Sequence, residues 1–546
     1  MKPSHCFLNL LVALNLTSVF AQNAPPVSAE RIKNDVKNLS SDEFLGRGPG
    51  EPGEEKTIAY LADAFTKAGL EPAGENGGWF QDVPLVRLDR LPGATLSLKL
   101  RGKTVPLALG RNATLALRNP DRTTITDASL VFAGWGVVDP ERGWNVYDGV
   151  DVTEKIAVVL ANDPDFEAGR DLGFEGRRLA YGGRVGVKFE MAAKAGAAGV
   201  LVIHEEAAAS YPFSQLGSGD ALPAMVPQPL NPSTLKFTSW ITLEVATDLL
   251  KVSKLSLPEL KERARDPKFR AFALDGASVS VNGELKATPF VSHNVLAKIT
   301  GASRPNESII YGAHWDANGQ NGPDKSGDAI RNGAVDNATG TSEVLEIARA
   351  FKTGEAPART VVFALWSAEE KGLLGSDYYA AHPLYPLATT AAVINLDPHV
   401  VLPAARDIEL IGGGRTTLED DFARIAKTQN LRVTPEPNPE AGWYFRSDHF
   451  PFARRGVPSL AFRAGRDLVE GGSAAGQRIV SAYNANCYHQ PCDQFDPRWT
   501  FAGTVQEASV AHSLGTELAN SDAWPTWNPG NEFKPLRDKS DAERVR

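Results

Sequence analysis

The chain has little cysteine: three residues in 546, at positions 6, 487 and 492. That is too few for a scaffold held together by disulfides, so a hydrophobic core must do that work. Beyond the N-terminus there is no run of about 18 apolar residues, which removes an internal membrane span. Basic charge is not in excess. Lys and Arg number 57 against 66 Asp and Glu, and the net charge of −9 argues against a nucleic-acid partner. No Gly-x-Ser-x-Gly occurs, so a serine hydrolase built on that turn has no support. A His-Glu-x-x-His zinc helix is also missing: His204-Glu205-Glu206 is followed by Ala208 where the second histidine would stand. His204 therefore reads as a surface histidine after a strand.

Hydrophobic residues make up 42% and charged residues 23%, ordinary for a soluble protein, and the length implies two or three domains. Residues 1–21 read as a secretory leader, with Lys2, an apolar stretch over 7–14 and Val19-Phe20-Ala21 for cleavage, so export to a periplasm or the medium is expected. Residues 22–127 open with amphipathic helices and close with short alternating strands. Residues 128–284 change character. A strand over 155–160 is followed by a helix near 189–196 and a strand over 199–203, and no site stands out among them. From 285 to 525 strands and helices alternate: strands over 294–299, 308–312, 360–365, 391–396, 407–411 and 459–462, helices over 340–351, 371–381, 417–429 and 501–519. This pattern implies an α/β sheet covered by helices on both faces. The polar, Pro-rich end, 526–546, reads as a loose tail.

Chemistry gathers between 314 and 489. His314, Glu369-Glu370 and Asp397 fall at strand ends, where α/β sheets place their sites. Asp336 precedes a helix; Thr339 can serve as its cap, which leaves Asp336 free to bridge two cations. Of the adjacent acids Glu369 and Glu370, one can bind metal while the other reaches water; side by side they repel unless cations lie close. His489 completes an inventory of two imidazoles, a bridging carboxylate, two terminal carboxylates and a spare: a two-zinc set. Asp316 suits an acceptor that fixes the His314 tautomer, and Asp448 suits a further supporting group. Cys487 and Cys492 bracket His489. Either they form a bridge that braces this loop or they are two unrelated thiols; the bridge is favoured, since a free thiol would compete for metal. His293, His382, His399, His449 and His512 read as structural or surface residues.

Gly312-Ala313-His314-Trp315-Asp316, Asp336-Asn337-Ala338-Thr339-Gly340, Ser367-Ala368-Glu369-Glu370-Lys371-Gly372-Leu373-Leu374-Gly375-Ser376, Asn395-Leu396-Asp397, Ser447-Asp448-His449-Phe450-Pro451-Phe452 and Tyr488-His489 occur in this order. Together they resemble the secreted co-catalytic zinc aminopeptidases, a family that also includes glutamate carboxypeptidase and the transferrin receptor ectodomain. Ser41-Asp42-Glu43-Phe44-Leu45-Gly46-Arg47-Gly48 is similar to the family's N-terminal segment. Residues 128–284 resemble an inserted protease-associated domain. The resemblance implies the zinc exopeptidase fold, a mixed, largely parallel sheet sandwiched by helices, with that β-rich domain inserted. It implies two zinc ions per chain, one on His314 and Asp397, the other on Glu370 and His489, with Asp336 between. Glu369 would be the general base and Tyr488 an oxyanion donor. A cis peptide is expected at Asp336-Asn337.

The expected activity is hydrolysis of the residue at a peptide's free N-terminus, with Trp443, Tyr444, Phe445 and Phe462 as candidate walls for its side chain. Arg446 and Arg463 keep a carboxypeptidase in view, and a silent, receptor-like scaffold is the rival from another class.

Overall fold

A computed structural model describes residues 27–219, 222–230, 234–398, 400–542 and 544; the expected leader and His399 lie outside them. Two N-terminal helices, α1 (Ala29–Leu39) and α2 (Pro52–Lys67), come first. Helix α1 is capped by Ser28, whose side chain accepts the Arg31 N–H, and it buries Ile32, Val36 and Leu39, the i, i+4, i+7 face of its sequence.

The chain then builds a β-rich unit. Strands β1 (Phe80–Arg90) and β2 (Thr95–Leu100) lead to β3 (Asp121–Phe132), β4 (Ile156–Leu160), β5 (Gly199–Ile203) and β6 (Phe237–Ile241), with helix α3 (Val185–Lys194) ahead of β5. Strands β3, β4, β5 and β6 are mutually parallel. Strands β4 and β5 are buried at every position, as their unbroken apolar runs require. Strand β7 (Phe272–Ile299) is 28 residues long and belongs to both halves of the molecule. Its first half pairs with β2 and β3, and its last five residues pair with the second sheet, described next.

That second sheet contains β8 (Arg304–His314), β9 (Arg359–Trp366), β10 (Thr390–Asn395), β11 (Asp407–Leu410), β12 (Arg432–Pro435) and β13 (Ser459–Ala464). The order is β7-β9-β8-β10-β13-β11-β12. Strands β9, β8, β10 and β13 are parallel, β7 runs against β9, and β11 runs against β13. Between and after these strands come α4 (Gly340–Thr353), α5 (Leu374–Ala381), α6 (Leu418–Thr428), α7 (Gly472–Asn486), α8 (Ala502–Asn520) and α9 (Lys534–Asp541). Strand alternation sorts the helices. Ile309, Tyr311 and Ala313 face a core with α4 and α8, whereas Ile310 faces one with Tyr379 and Ala380 of α5.

Two large apolar cores result, one from residues between 86 and 285, the other from residues 32–70 and 295–519. The expected boundary near 127 does not divide them: Leu96, Leu98, Leu115 and Leu117 already pack in the first core. The end of the chain also departs from expectation. Trp527 and Phe533 are buried, the Trp527 indole donates to the Gly456 carbonyl, and Arg537 of α9 donates to the carbonyls of Thr390 and Ala391. Two aromatic anchors within a polar, proline-rich stretch are enough to hold it. Among the described residues no helix is long and apolar enough to cross a membrane.

Candidate metal centre

Because β8, β9 and β10 run parallel, their C-terminal ends open on one edge of the sheet. His314 ends β8, Glu369-Glu370 follow β9, and Asp397 follows β10 by two residues. Asp336 reaches the same place from the turn before α4, through a cis Asp336-Asn337 peptide. His489 comes from the loop after α7, and the Cys487–Cys492 disulfide closes that loop around it.

The geometry divides these groups into two sets around one carboxylate. Asp336 Oδ1 lies 3.3 Å from His314 Nε2, and its Oδ2 lies 3.1 Å from His489 Nε2. Asp397 stands 3.7 Å from His314 Nε2; Glu370 stands 3.2 Å from His489 Nε2. The ligand atoms of His314, Asp336 and Asp397 all fall within 4.8 Å of one another, as do those of Asp336, Glu370 and His489. Glu369 is the sixth group, 3.8 Å from His314 Nε2. His314 Nε2 and Glu370 Oε1 are buried without a hydrogen-bond partner. An orphaned histidine nitrogen and an orphaned carboxylate oxygen, with the other carboxylates at this spacing, fit two small divalent cations sharing Asp336. Burial pushes the Glu369 carboxyl well above its usual range, countered in part by His314; the imidazoles of His314 and His489 pull Asp336 well below its own.

The supporting groups differ in part from expectation. His314 Nδ1 lies 3.1 Å from the Asp316 carbonyl, while the Asp316 carboxylate is 3.7 Å away. That carboxylate instead accepts the backbone N–H groups of Glu369 at 3.0 Å and Glu370 at 3.4 Å. Asp316 thus fixes the ring with its backbone and the acid pair with its side chain. Asp448 is fully buried and accepts the Ser376 hydroxyl at 2.5 Å.

Two contributors had no clear signal of this role in the sequence. Asp493 accepts the N–H groups of Val335 and Asp336 and the Tyr483 hydroxyl, so it sets the turn that aims Asp336. Arg47, in a stretch whose glycines and proline read as loop, is fully buried. It donates to the carbonyls of Leu39, Trp315, Asn332 and Gly333, tying the His314 loop to the Asp336 turn. Gly333 must be glycine here: φ is +55°, and a Cβ would come within 2.2 Å of the Asp336 carbonyl.

A cavity of about 340 Å³ opens over these groups and over Tyr488, whose ring stacks on His489 with centroids 3.8 Å apart. Ile411, Trp443, Phe445 and Phe462 contribute its apolar lining. Tyr444 turns away and is buried beneath Arg415 and beside His449. Arg446 and Arg463 both border the cavity; Glu409 pairs with Arg463 at 3.0 Å.

Of the other described histidines only His449 borders this cavity. His449 is buried on Tyr444, and burial holds its pKa down at about 3. His293 pairs with Glu54, His382 stacks on Tyr378, and His512 packs on Phe351. His204 is buried, not at the surface, because Tyr211, Phe213 and Trp240 close over it.

Residues 294–512 match the model of Peptidase family M28. This segment is similar to the M28 peptidases. A glutamate carboxypeptidase 2 homolog of Caenorhabditis elegans is 30% identical over 213 residues, 34% of this chain and 25% of that protein. Leupeptin-inactivating enzyme 1 of Streptomyces exfoliatus is 29% identical over 251 residues, 45% of this chain and 52% of that protein. The matches thus span between a quarter and about half of these relatives' length. The structure of an aminopeptidase from Aneurinibacillus sp. strain AM-1 superposes with a TM-score of 0.54 at 19% identity, covering 92% of this chain and 96% of that one. The fold shared with it extends well beyond residues 294–512.

Proposed function

We propose that this chain is an exported two-zinc aminopeptidase. The observation that carries the reading is Asp336, whose two oxygens face two different imidazoles, each with its own terminal carboxylate. The relatives' names, an aminopeptidase among the solved structures and a glutamate carboxypeptidase 2 homolog among the sequences, agree with an exopeptidase.

His314, Asp397 and Asp336 would hold one zinc ion, and Asp336, Glu370 and His489 the other. Zinc there supplies Lewis acidity, polarising a carbonyl and making water acidic enough to attack near neutral pH. Glu369 takes the proton of the attacking water and returns it to the leaving amine, which its raised proton affinity suits. Tyr488, on the cavity wall beside His489, donates to the developing oxyanion. Asp316 keeps Glu369 and Glu370 apart by holding both of their backbone N–H groups. The apolar lining of the cavity receives the N-terminal side chain. Export is supported by the leader-like residues 1–21 and by the Cys487–Cys492 disulfide, which persists in oxidising compartments.

The test is one short peptide presented with a free N-terminus and N-acetylated. Cleavage of the free form alone is expected. Equal cleavage of both would replace this reading with the carboxypeptidase, for which Arg446 and Arg463 would then be the anchors.

A further inference from the structure

A separate cavity, of about 810 Å³, shares no wall residue with the one over the metal centre, although Leu410 borders it and the next residue, Ile411, borders the metal-centre cavity. Its charged walls are Glu175, Arg177 and Arg178 of the β-rich unit together with Arg415, Glu436 and Glu532. Two of these groups are buried and short of partners. Arg415 is 2% exposed, and its Nε and Nη1 make no hydrogen bond; its Nη2 donates to Glu175 at a long 3.4 Å, and Glu532 stands 3.6 Å from Nη1. Glu436 is 7% exposed; its Oε1 accepts the Gly412 N–H at 2.9 Å, and its Oε2 accepts nothing. Burial raises the Glu436 carboxyl, while the Gly412 N–H and the guanidiniums of Arg463, Arg178 and Arg415 oppose that rise, which places donor and acceptor within electrostatic reach of each other. A charged donor and a charged acceptor left unmet are unfavourable, and a ligand bearing both a carboxylate and an ammonium satisfies the two at once.

We infer that this cavity binds a free α-amino acid, its carboxylate accepting from Arg415 and Arg178, its ammonium donating to Glu436, and an apolar side chain lying against Val433 and Pro435. The charge balance selects that class. Three guanidiniums set against three carboxylates leave no net field to hold a simple anion or cation. A zwitterion finds a charge-assisted partner for each end. Leu410, Val433 and Pro435 supply the carbon for its side chain. The position also suits a product of the metal centre. The Arg415 guanidinium lies 4.5 Å over the ring of Tyr444 and 5.1 Å over that of Phe445, and Phe445 is a wall of the metal-centre cavity. That the ligand is the residue released there rests on the aminopeptidase reading above; the site itself rests on Arg415 and Glu436.

The test counts radiolabelled L-leucine bound per chain in equilibrium dialysis, on the zinc-loaded full chain and on two variants. Glu436→Gln keeps an acceptor for the Gly412 N–H and loses the charge, so it should bind one leucine fewer than the unaltered chain. Arg178→Gln removes a partly exposed side chain whose printed ion pair, to Glu175 at 3.5 Å, is long, so it still reports if Glu436→Gln fails to fold. It should weaken the same site by about tenfold, the scale of one lost charge-assisted hydrogen bond. Comparing variants with the unaltered chain cancels any leucine held at the metal centre. 3-Methylbutylamine and 4-methylpentanoate, each lacking one of the two charges, should not displace the leucine that Glu436→Gln loses. Equal counts and affinities in all three chains, no leucine bound by the unaltered chain, or displacement by either single-charge analogue as effective as leucine itself would overturn the site. No release of leucine from Leu-Gly-Gly by a chain that still shows the loss in Glu436→Gln would instead overturn the aminopeptidase reading.

Discussion

Glu369 and Glu370 are neighbours with different surroundings. The Glu370 carboxylate reaches to 3.2 Å from His489 Nε2, while Glu369 stands beside the other imidazole at 3.8 Å and its proton affinity is raised by burial. In the proposed reading Glu370 is therefore a metal ligand and Glu369 the base. Glu369→Gln keeps the size and the backbone hydrogen bond to Asp316 but cannot take a proton. Turnover should fall by about 10²–10⁴-fold with metal content unchanged; turnover near that of the unaltered chain, measured on the same peptide, would remove Glu369 as the base. At this scale the convergence of His314, Asp336, Glu370, Asp397 and His489 was legible in advance, because such residue types at strand ends and helix starts leave few alternatives. Arg47 and Asp493 were not. An arginine among glycines and an aspartate four residues after a histidine look like surface residues until the fold shows which carbonyls and N–H groups converge on them.

Elements were read best where periodicity was unambiguous. The buried strands from β8 to β10 and the helices α4 and α8 lie within a few residues of their expected limits, since continuous apolar runs and 3.6-residue stripes have one solution each. Helix α7 escaped notice because it buries only Gly476 and Val480 and so carries almost no stripe. The chain end was misread for the converse reason: composition marks polar residues, yet Trp527 and Phe533 decide the packing. The loop after α7 joins element to site, since Tyr488 and His489 lie inside the ring closed by Cys487 and Cys492. Replacing both cysteines with serine should loosen His489 and weaken one of the two metal equilibria by roughly tenfold, the effect typical of lost support around a ligand. Two unchanged metal affinities in a competition titration would show that the bridge does nothing for the site.

For the molecule as a whole, acid should be a liability through His512. It is buried on α8 against Phe351, and burial lowers its pKa to about 4 from the ordinary 6.5. The folded state thus prefers the neutral ring. Between about pH 6.5 and 4 the unfolded chain binds the extra proton, so stability falls as pH falls through that window. The penalty is roughly 2–4 kcal/mol when fully developed. His512→Gln should lose less stability than the unaltered chain between pH 6.5 and 4 in denaturant titrations; parallel losses would contradict the assignment. The same long-range view separates what sequence patterns convey from what they do not. Local periodicity located most strands of the second sheet but not β6, β12 or the first part of β7, and the boundary expected near 127 failed because β7 pairs with β1, β2 and β3 far along the chain, from Phe132↔Phe272 to Phe80↔Val295, a non-local register that no local pattern states.

If Asp336 bridges two zinc ions, zinc counted per chain will show it, in the unaltered protein and in Asp336→Ala after equilibration at matched free zinc. Two ions in the unaltered chain and loss of both, or nearly so, in the variant are expected. One ion in the unaltered chain, or two retained without Asp336, would contradict it.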